Sequence, residues 1–279
     1  MDSIGATFDA SCADLQPARD GSKMTPLMNV HPTALVEEGV QFGDGCVVHA
    51  YASIKRGTIL GDGVVVHSFA VIGDEPQDLH FDPAIRSGVR IGARTVVREH
   101  ATVHRSTRPG TFTEVGDACL LMVASHVGHD VRVGHHVVLS NTALLAGHAQ
   151  IGDHAFLSGG VLVHQFCRVG ESAMLGGGAR VSRDVPPFTL AVERNTLIGI
   201  NLVGVRRRGF SSSVVRELKR AFHLVYDDHG NVRENARRAL ESGVFQEAAA
   251  RQFLADFSEG ARGFVRPRRK RAEGDDEEE

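Results

Sequence analysis

An aliphatic side chain returns every sixth residue through most of this chain. Val36, Phe42, Val48, Ile54, Leu60, Val66 and Ile72 open the series, and Ile91, Val97 and Val103 resume it. An unbroken run then follows through Val115, Leu121, Val127, Val133, Leu139, Leu145, Ile151, Leu157, Val163, Val169, Leu175 and Val181. Four places after the aliphatic stands a small or β-branched residue, as at Cys46, Ala52, Thr58, Cys119, Ser125, Ala143, Ala149, Cys167 and Ala179. Glycine often follows the aliphatic directly, as at Gly43, Gly61, Gly116, Gly134 and Gly152. A period of six fits neither an α-helix nor a hairpin strand. It is the period of a hexapeptide β-helix, whose repeats cannot bury an apolar face singly and therefore stack. The pattern predicts an all-β solenoid, a left-handed parallel β-helix with three hexads to each triangular coil. Aliphatics point inward, small residues let the chain turn, and glycine or aspartate takes the corner. Val36 to Val181 makes about eight coils, roughly 40 Å tall at the ordinary interstrand spacing.

Two segments break the series. The phase slips by one residue between Ile72 and Ile91, near Asp74, Glu75, Pro76, Asp82 and Pro83, which predicts a loop thrown out of the wall. The second departure is Ser106-Thr107-Arg108-Pro109-Gly110, between Val103 and Val115. Loops on a rigid scaffold are where sites are usually assembled. After Pro186-Pro187 the period changes. Ser211 to Ser213 predict the cap of a helix carrying Val214, Val215, Leu218, Phe222 and Val225 on one face, ended by Asp227-Asp228-His229-Gly230. A second helix is expected from Val232 to Leu240 and a third from Phe245 to Phe257. The predicted organisation is a disordered leader over 1–28, the β-helix over 29–190, a small helical domain over 191–265 and a charged, disordered tail over 266–279. The leader has no apolar segment of a signal peptide, and Met24 and Met28 are alternative starts.

Composition narrows the function classes. A net charge of −3 gives no global field for nucleic acid. No apolar run is long enough for a membrane span. Cys46, Cys119 and Cys167 fill small-residue slots, as core thiols in a reducing compartment do, so a cytoplasmic location is expected.

Fifteen histidines are many for a chain of 279 residues, and the informative ones lie between His126 and His164. Two chemistries compete at this point. Three histidines converging from adjacent walls would bind zinc; a single one would serve as a general base. In a three-hexad coil, residues 18 apart lie above one another. His129, Gly147 and Gln165 then form one column, and Asp130 and His148 its neighbour. A glycine beside the imidazole admits a substrate to the backbone and offers an N–H to an oxyanion. The adjacent Asp130 would hold the imidazole and stabilise its protonated form. Because His129 faces outward, one chain offers half a cleft, and a symmetric oligomer is expected to supply the rest.

The stretches Met122 to Asp130, Leu145-Ala146-Gly147-His148 and Val163 to Cys167 resemble the UDP-N-acetylglucosamine O-acyltransferase family, which acts first in lipid A synthesis. His31-Pro32-Thr33-Ala34, Asp184 to Phe188 and Arg207-Arg208-Gly209-Phe210 extend the resemblance over about residues 29–266. It implies a homotrimer with sites between subunits, no cofactor and no metal. His129, paired with Asp130, would take the proton of the sugar 3-hydroxyl. That oxygen would attack an (R)-3-hydroxyacyl thioester on acyl carrier protein, with the backbone of Gly147 facing the oxyanion. The family's substrate contacts fall on Asp78, His80, His126, His148, His164, Gln165, Asn201, Arg207 and Arg208, and its acyl-length position on Gly177, where a glycine implies a long chain. Arg207 and Arg208 suit a diphosphate, and Arg206, Arg216, Lys219 and Arg220 an acidic carrier protein. Two positions depart from the family: His80 stands where lysine is usual, and Val203 where glutamate is. Both bear on the sugar nucleotide, so a different nucleotide sugar, or an amino sugar giving an amide, stays open as acceptor. A zinc hydratase or hydrolase and a non-catalytic sugar-nucleotide binder are the remaining alternatives.

Overall fold

A computed structural model of the chain describes residues 29–226 and 230–268. The expected leader, residues 227–229 and the tail from 269 lie outside the described residues, whereas Arg266–Pro267, expected as the start of a disordered tail, forms a strand paired in parallel with Thr196–Leu197. The six-residue period folds as a left-handed parallel β-helix with three walls. Val48, Val66, Val97, Leu121, Leu139, Leu157 and Leu175 face inward from the first wall. The second carries Ile54, Ile72, Val103, Val127, Leu145, Val163 and Val181, and the third Leu60, Ile91, Val115, Val133, Ile151 and Val169. All are buried, and they form one continuous core.

The corners correct one expectation. The small residue of each hexad, such as Ala143, Ala149 or Ala179, is itself buried inside the prism. The turn is made one residue earlier, by whatever side chain stands there. Ala118, Ala124, Asp130, His136, Thr142, His148 and His154 all adopt the left-handed region, with φ between 53° and 62°. A β-carbon in that region costs about 1–2 kcal/mol. Stacked hydrogen bonds and core burial offset it at each corner, so glycine and aspartate are not required.

Regular coils advance 18 residues, as from Leu121 to Leu139. The coil from Leu60 to Ile91 takes 31, because residues 75–87 leave the corner between the second and third walls. The next, from Ile91 to Val115, takes 24, because six further residues leave the same corner around 105–111. The two loops are stitched together. Ser87 Oγ donates to Ser106 O at 2.5 Å, Gly110 N to Arg86 O at 2.8 Å, and Arg105 to Ile85 O and Pro83 O at 2.7 and 3.1 Å. Both loops therefore hang beneath the corner that continues upward as His129-Asp130, Gly147-His148 and Gln165-Phe166.

The outer faces differ. Val47, Val65, Val96, Leu120, Val138, Phe156 and Met174 point out of the first wall. The third shows a charged ladder in which Glu114 meets Arg90 and Arg132. At the top, Thr189–Val192 stacks on Met174–Leu175 and turns into an antiparallel partner, Thr196–Ile200. Among the described residues four helices follow: α1 (Leu202–Arg207), α2 (Ser212–Tyr226), α3 (Val232–Glu241) and α4 (Ala248–Asp256). The hairpin and α1 were not expected, and α4 starts three residues later than the pattern suggested. Val214, Leu218, Phe222 and Val225 line the buried face of α2, as their spacing implied. Among the described residues no helix is long and apolar enough to cross a membrane.

Candidate active site

The corner between the second and third walls gathers the predicted chemistry. His129 follows Val127 and Gly128, and its carbonyl accepts the N–H of His148 one coil above at 3.0 Å. A β-carbon built on Gly147 would lie 2.6 Å from both Nε2 and Cε1 of His129. The imidazole therefore rests against bare backbone, which only glycine permits. On the corner between the third and first walls the matching N–H is bonded by the coil above, as Asp44 N is by Asp62 and His135 N by Asp153. Gly147 has Gln165 above it, and among the described residues its N–H has no partner.

Asp130 fixes the tautomer. Its side chain is 2% exposed. Oδ1 accepts from Ser106 Oγ at 2.5 Å, and Oδ2 accepts from Thr107 Oγ1 at 2.6 Å, Thr107 N at 3.2 Å and His129 Nδ1 at 2.9 Å. Burial pushes the carboxyl up, but the bonds from His129, Ser106 and Thr107 outweigh it and hold the group well below the usual carboxylate range. An ionised carboxylate only accepts, so Nδ1 of His129 donates to it, and in the neutral imidazole Nε2 is then the nitrogen that holds the lone pair. Nε2 is thus left beside the unpaired Gly147 N–H.

The surrounding histidines are uncharged near neutral pH. Burial pulls His126 down to about 4, aided by His104 and His129. Burial also lowers His104 and His148, against the pull of Asp74 on the first and of Asp130 on the second. His126 Nδ1 meets Thr102 Oγ1 at 2.7 Å and His104 packs edge-on against it, their centroids 4.8 Å apart. His148 lies edge-on to His129 at 5.1 Å and flat on Phe166 at 4.5 Å.

A groove of about 680 Å³ runs over the second wall from this corner. His126, His129, Gly147, His164 and Gln165 line it, with Leu144, Leu162 and Arg180 as its floor. Gly177 sits on the far corner of that wall, where a β-carbon would make only an ordinary contact with Gly159 O at 3.8 Å. Asp78 and His80 stand exposed on the 75–87 loop, around the fully exposed Leu79. The other predicted contacts are not brought to the groove within one chain. Asn201 caps α1 by accepting from Gly204 N at 3.0 Å, and its amide donates to Ser172 O at 3.0 Å. Arg208 pairs with Glu171 at 2.5 Å, and Arg207 is exposed on α1.

Sequence reasoning missed four residues here. His104 lines the groove with a buried, unpartnered Nδ1. Ser106 and Thr107 grip Asp130. Arg262, from the C-terminal segment, reaches His164 Nδ1 at 3.1 Å. The three-histidine zinc centre does not form among the described residues. His129, Asp130 and His148 come within 4.8 Å of one another, but Asp130 is already taken by four donors.

A histidine–carboxylate pair against a glycine whose N–H is unpaired among the described residues, on the outer corner of a hexapeptide solenoid, fits an acyltransferase of the hexapeptide-repeat class. A family described as "Udp N-acetylglucosamine O-acyltransferase; Domain 2" matches residues 184–265, and "Bacterial transferase hexapeptide (six repeats)" matches residues 39–74. The acyl-[acyl-carrier-protein]--UDP-N-acetylglucosamine O-acyltransferase of Thermodesulfovibrio yellowstonii is 38% identical over 209 residues, 74% of this chain and 80% of that protein. Among solved structures, the UDP-N-acetylglucosamine acyltransferase of Campylobacter jejuni superposes with a TM-score of 0.76 at 34% identity, covering 86% of this chain and all of the other. The Bacteroides fragilis structure gives 0.75 at 33%, covering 87% of this chain and all of the other. The chain belongs to the UDP-N-acetylglucosamine O-acyltransferase family.

Proposed function

We propose that this chain moves an (R)-3-hydroxyacyl group from acyl carrier protein to the 3-hydroxyl of UDP-N-acetylglucosamine, the first step of lipid A synthesis, in the cytoplasm. His129 Nε2 takes the hydroxyl proton as the sugar oxygen attacks the thioester carbon. The tetrahedral oxyanion faces the Gly147 N–H, and Asp130 steadies the imidazolium through Nδ1. Collapse breaks the carbon–sulfur bond, and the leaving thiolate takes the proton back from His129. The observation that carries this reading is the His129 ring, held at Nδ1 by Asp130 and packed at Nε2 against the bare backbone of Gly147, whose N–H is unpaired among the described residues. His126, His148, His164, Gln165, Asp78 and His80 are assigned to the acceptor sugar, and Gly177 to the end of the acyl groove.

The working unit is assigned as a homotrimer. Two features support it: the apolar outer face of the first wall, and Leu79, which is fully exposed at the tip of the 75–87 loop. In such an assembly Asn201, Arg207 and Arg208 reach the acceptor from a neighbouring subunit. Arg216, Lys219 and Arg220 stand exposed on α2, with Arg206 nearby on α1, and suit an acidic carrier protein. The test is mass spectrometry of products from a panel of acyl-carrier donors and UDP-sugars. The reading expects one acyl group on UDP-N-acetylglucosamine, released by mild alkali as an ester is. An alkali-stable product, or transfer only to another nucleotide sugar, overturns the assigned acceptor.

A further inference from the structure

The loop segment beneath the base does more than close a gap in the wall. Ser106 is fully buried and touches three parts of the site at once. Its hydroxyl donates to Asp130 Oδ1 and accepts from Arg108 N at 3.2 Å. Thr111 Oγ1 lies 2.5 Å from the same hydroxyl and donates to Arg108 O at 2.9 Å, tying the segment to itself. Its carbonyl accepts from Ser87, the last residue of the loop that carries Asp78 and His80.

We propose that Ser106 is a positioning residue that sets the Asp130 carboxylate for its work on His129 and ties it to the 75–87 loop. The proposal rests on the reading of His129 as the base. Its physical content is a limit on how strongly Asp130 pulls. Each neutral donor on the carboxylate spreads its charge and weakens its hold on the Nδ1 proton. Ser106, with the two donors of Thr107, fixes the carboxylate in place and shares its charge while it orients the imidazole. The other groups facing this pair do not replace Ser106. His104, His126 and His148 face His129, while His148 and Arg108 face Asp130. Asp74 and Asp78 act one step away, on His104 and His148.

The sign of the effect follows. Removing the Ser106 hydroxyl concentrates charge on Asp130, strengthens the bond to Nδ1 and raises the affinity of His129 for a second proton. In Ser106→Ala the acid limb of kcat/KM moves to higher pH by about half a unit, and kcat falls about tenfold because a carboxylate no longer pinned by Ser106 carries the imidazole bound to it off its reacting position. KM for the UDP-sugar stays near wild type. Ser87→Ala cuts the other tie, raising KM for the UDP-sugar several-fold with the acid limb unmoved. Should Ser106→Ala fold poorly, Thr107→Val removes a donor from the second oxygen and gives the same upward shift, while Thr107→Ser restores the wild-type profile.

The experiment is a pH profile of kcat and KM for these variants and for His129→Ala, with a melting curve for each. A Ser106→Ala enzyme that melts earlier yet keeps its kcat and acid limb has lost only structure, and overturns the proposal. If His129→Ala turns over near the wild-type rate, the base assignment itself fails. Loss of activity in His129→Ala with unchanged profiles in Ser106→Ala and Thr107→Val fails Ser106 alone.

Discussion

Replacing Gly147 by alanine tests whether the imidazole of His129 needs bare backbone beside it. The added β-carbon would stand 2.6 Å from Nε2 and Cε1. Carbon contacts are comfortable at about 3.5–4.0 Å, so the ring or the chain must move by about 1 Å. The ring has little freedom. Nδ1 is held 2.9 Å from Asp130, which is buried and held by Ser106 and Thr107, and His148 packs edge-on against the ring. A displacement of about 1 Å at a reacting centre costs on the order of a hundredfold in rate, or about 2.7 kcal/mol of barrier. The fold should tolerate the change, because Gly147 is not among the glycines with left-handed φ. The expected result is a kcat about a hundredfold lower with a nearly unchanged melting curve, measured with acyl carrier protein donor and UDP-sugar. A Gly147→Ala enzyme working at the wild-type rate would refute the packing argument.

Further outcomes follow from other parts of the structure. His126 is held at about 4, below its unfolded value, by burial. Between about pH 6.5 and 4 the unfolded chain therefore binds a proton that the folded chain refuses, and stability falls as pH drops through that window. His126→Asn should flatten this fall in melting curves taken across it, and an equally steep fall removes His126 as a cause. Leu157 is fully buried in the middle of the first wall. Leu157→Ala should cost about 2–5 kcal/mol in denaturant unfolding, and a loss under about 1 kcal/mol would mean the coil collapses around the gap. Gly177→Ala meets nothing nearer than Gly159 O at 3.8 Å. It should melt normally while product analysis shows a shift to shorter acyl chains; unchanged chain length removes Gly177 from the acyl groove.

Much of this architecture was legible because one rule repeats. A six-residue aliphatic period has a single economical solution, and its 18-residue coil placed His129 level with Gly147 and Asp130 level with His148. The same arithmetic failed wherever a coil was longer. His104 and Ser106 lie 24 residues below Gly128 and Asp130, because six extra residues leave the wall between them. The loop at Ser106 was visible as a break in the pattern, but nothing in the period says that its hydroxyl turns back to a carboxylate one coil above. Corner identity was also hidden. Stacking dictates a left-handed φ at His148 or Thr142 regardless of propensity, so the glycine and aspartate signal was only partial. Asn201 and Arg208 show a further limit. Read along the chain they are polar residues at the two ends of α1, yet one caps that helix and the other is held by Glu171, and neither lines the groove within one chain.

The central claim is that the lone pair on His129 Nε2 removes the acceptor proton. Steady-state turnover of purified His129→Ala, shown by melting curve and sedimentation to keep the wild-type fold and assembly, tests it most directly. The account predicts a kcat at least about a hundredfold below wild type, the scale of general-base loss, with no rescue by higher acceptor concentration. Turnover within a few-fold of wild type would contradict it.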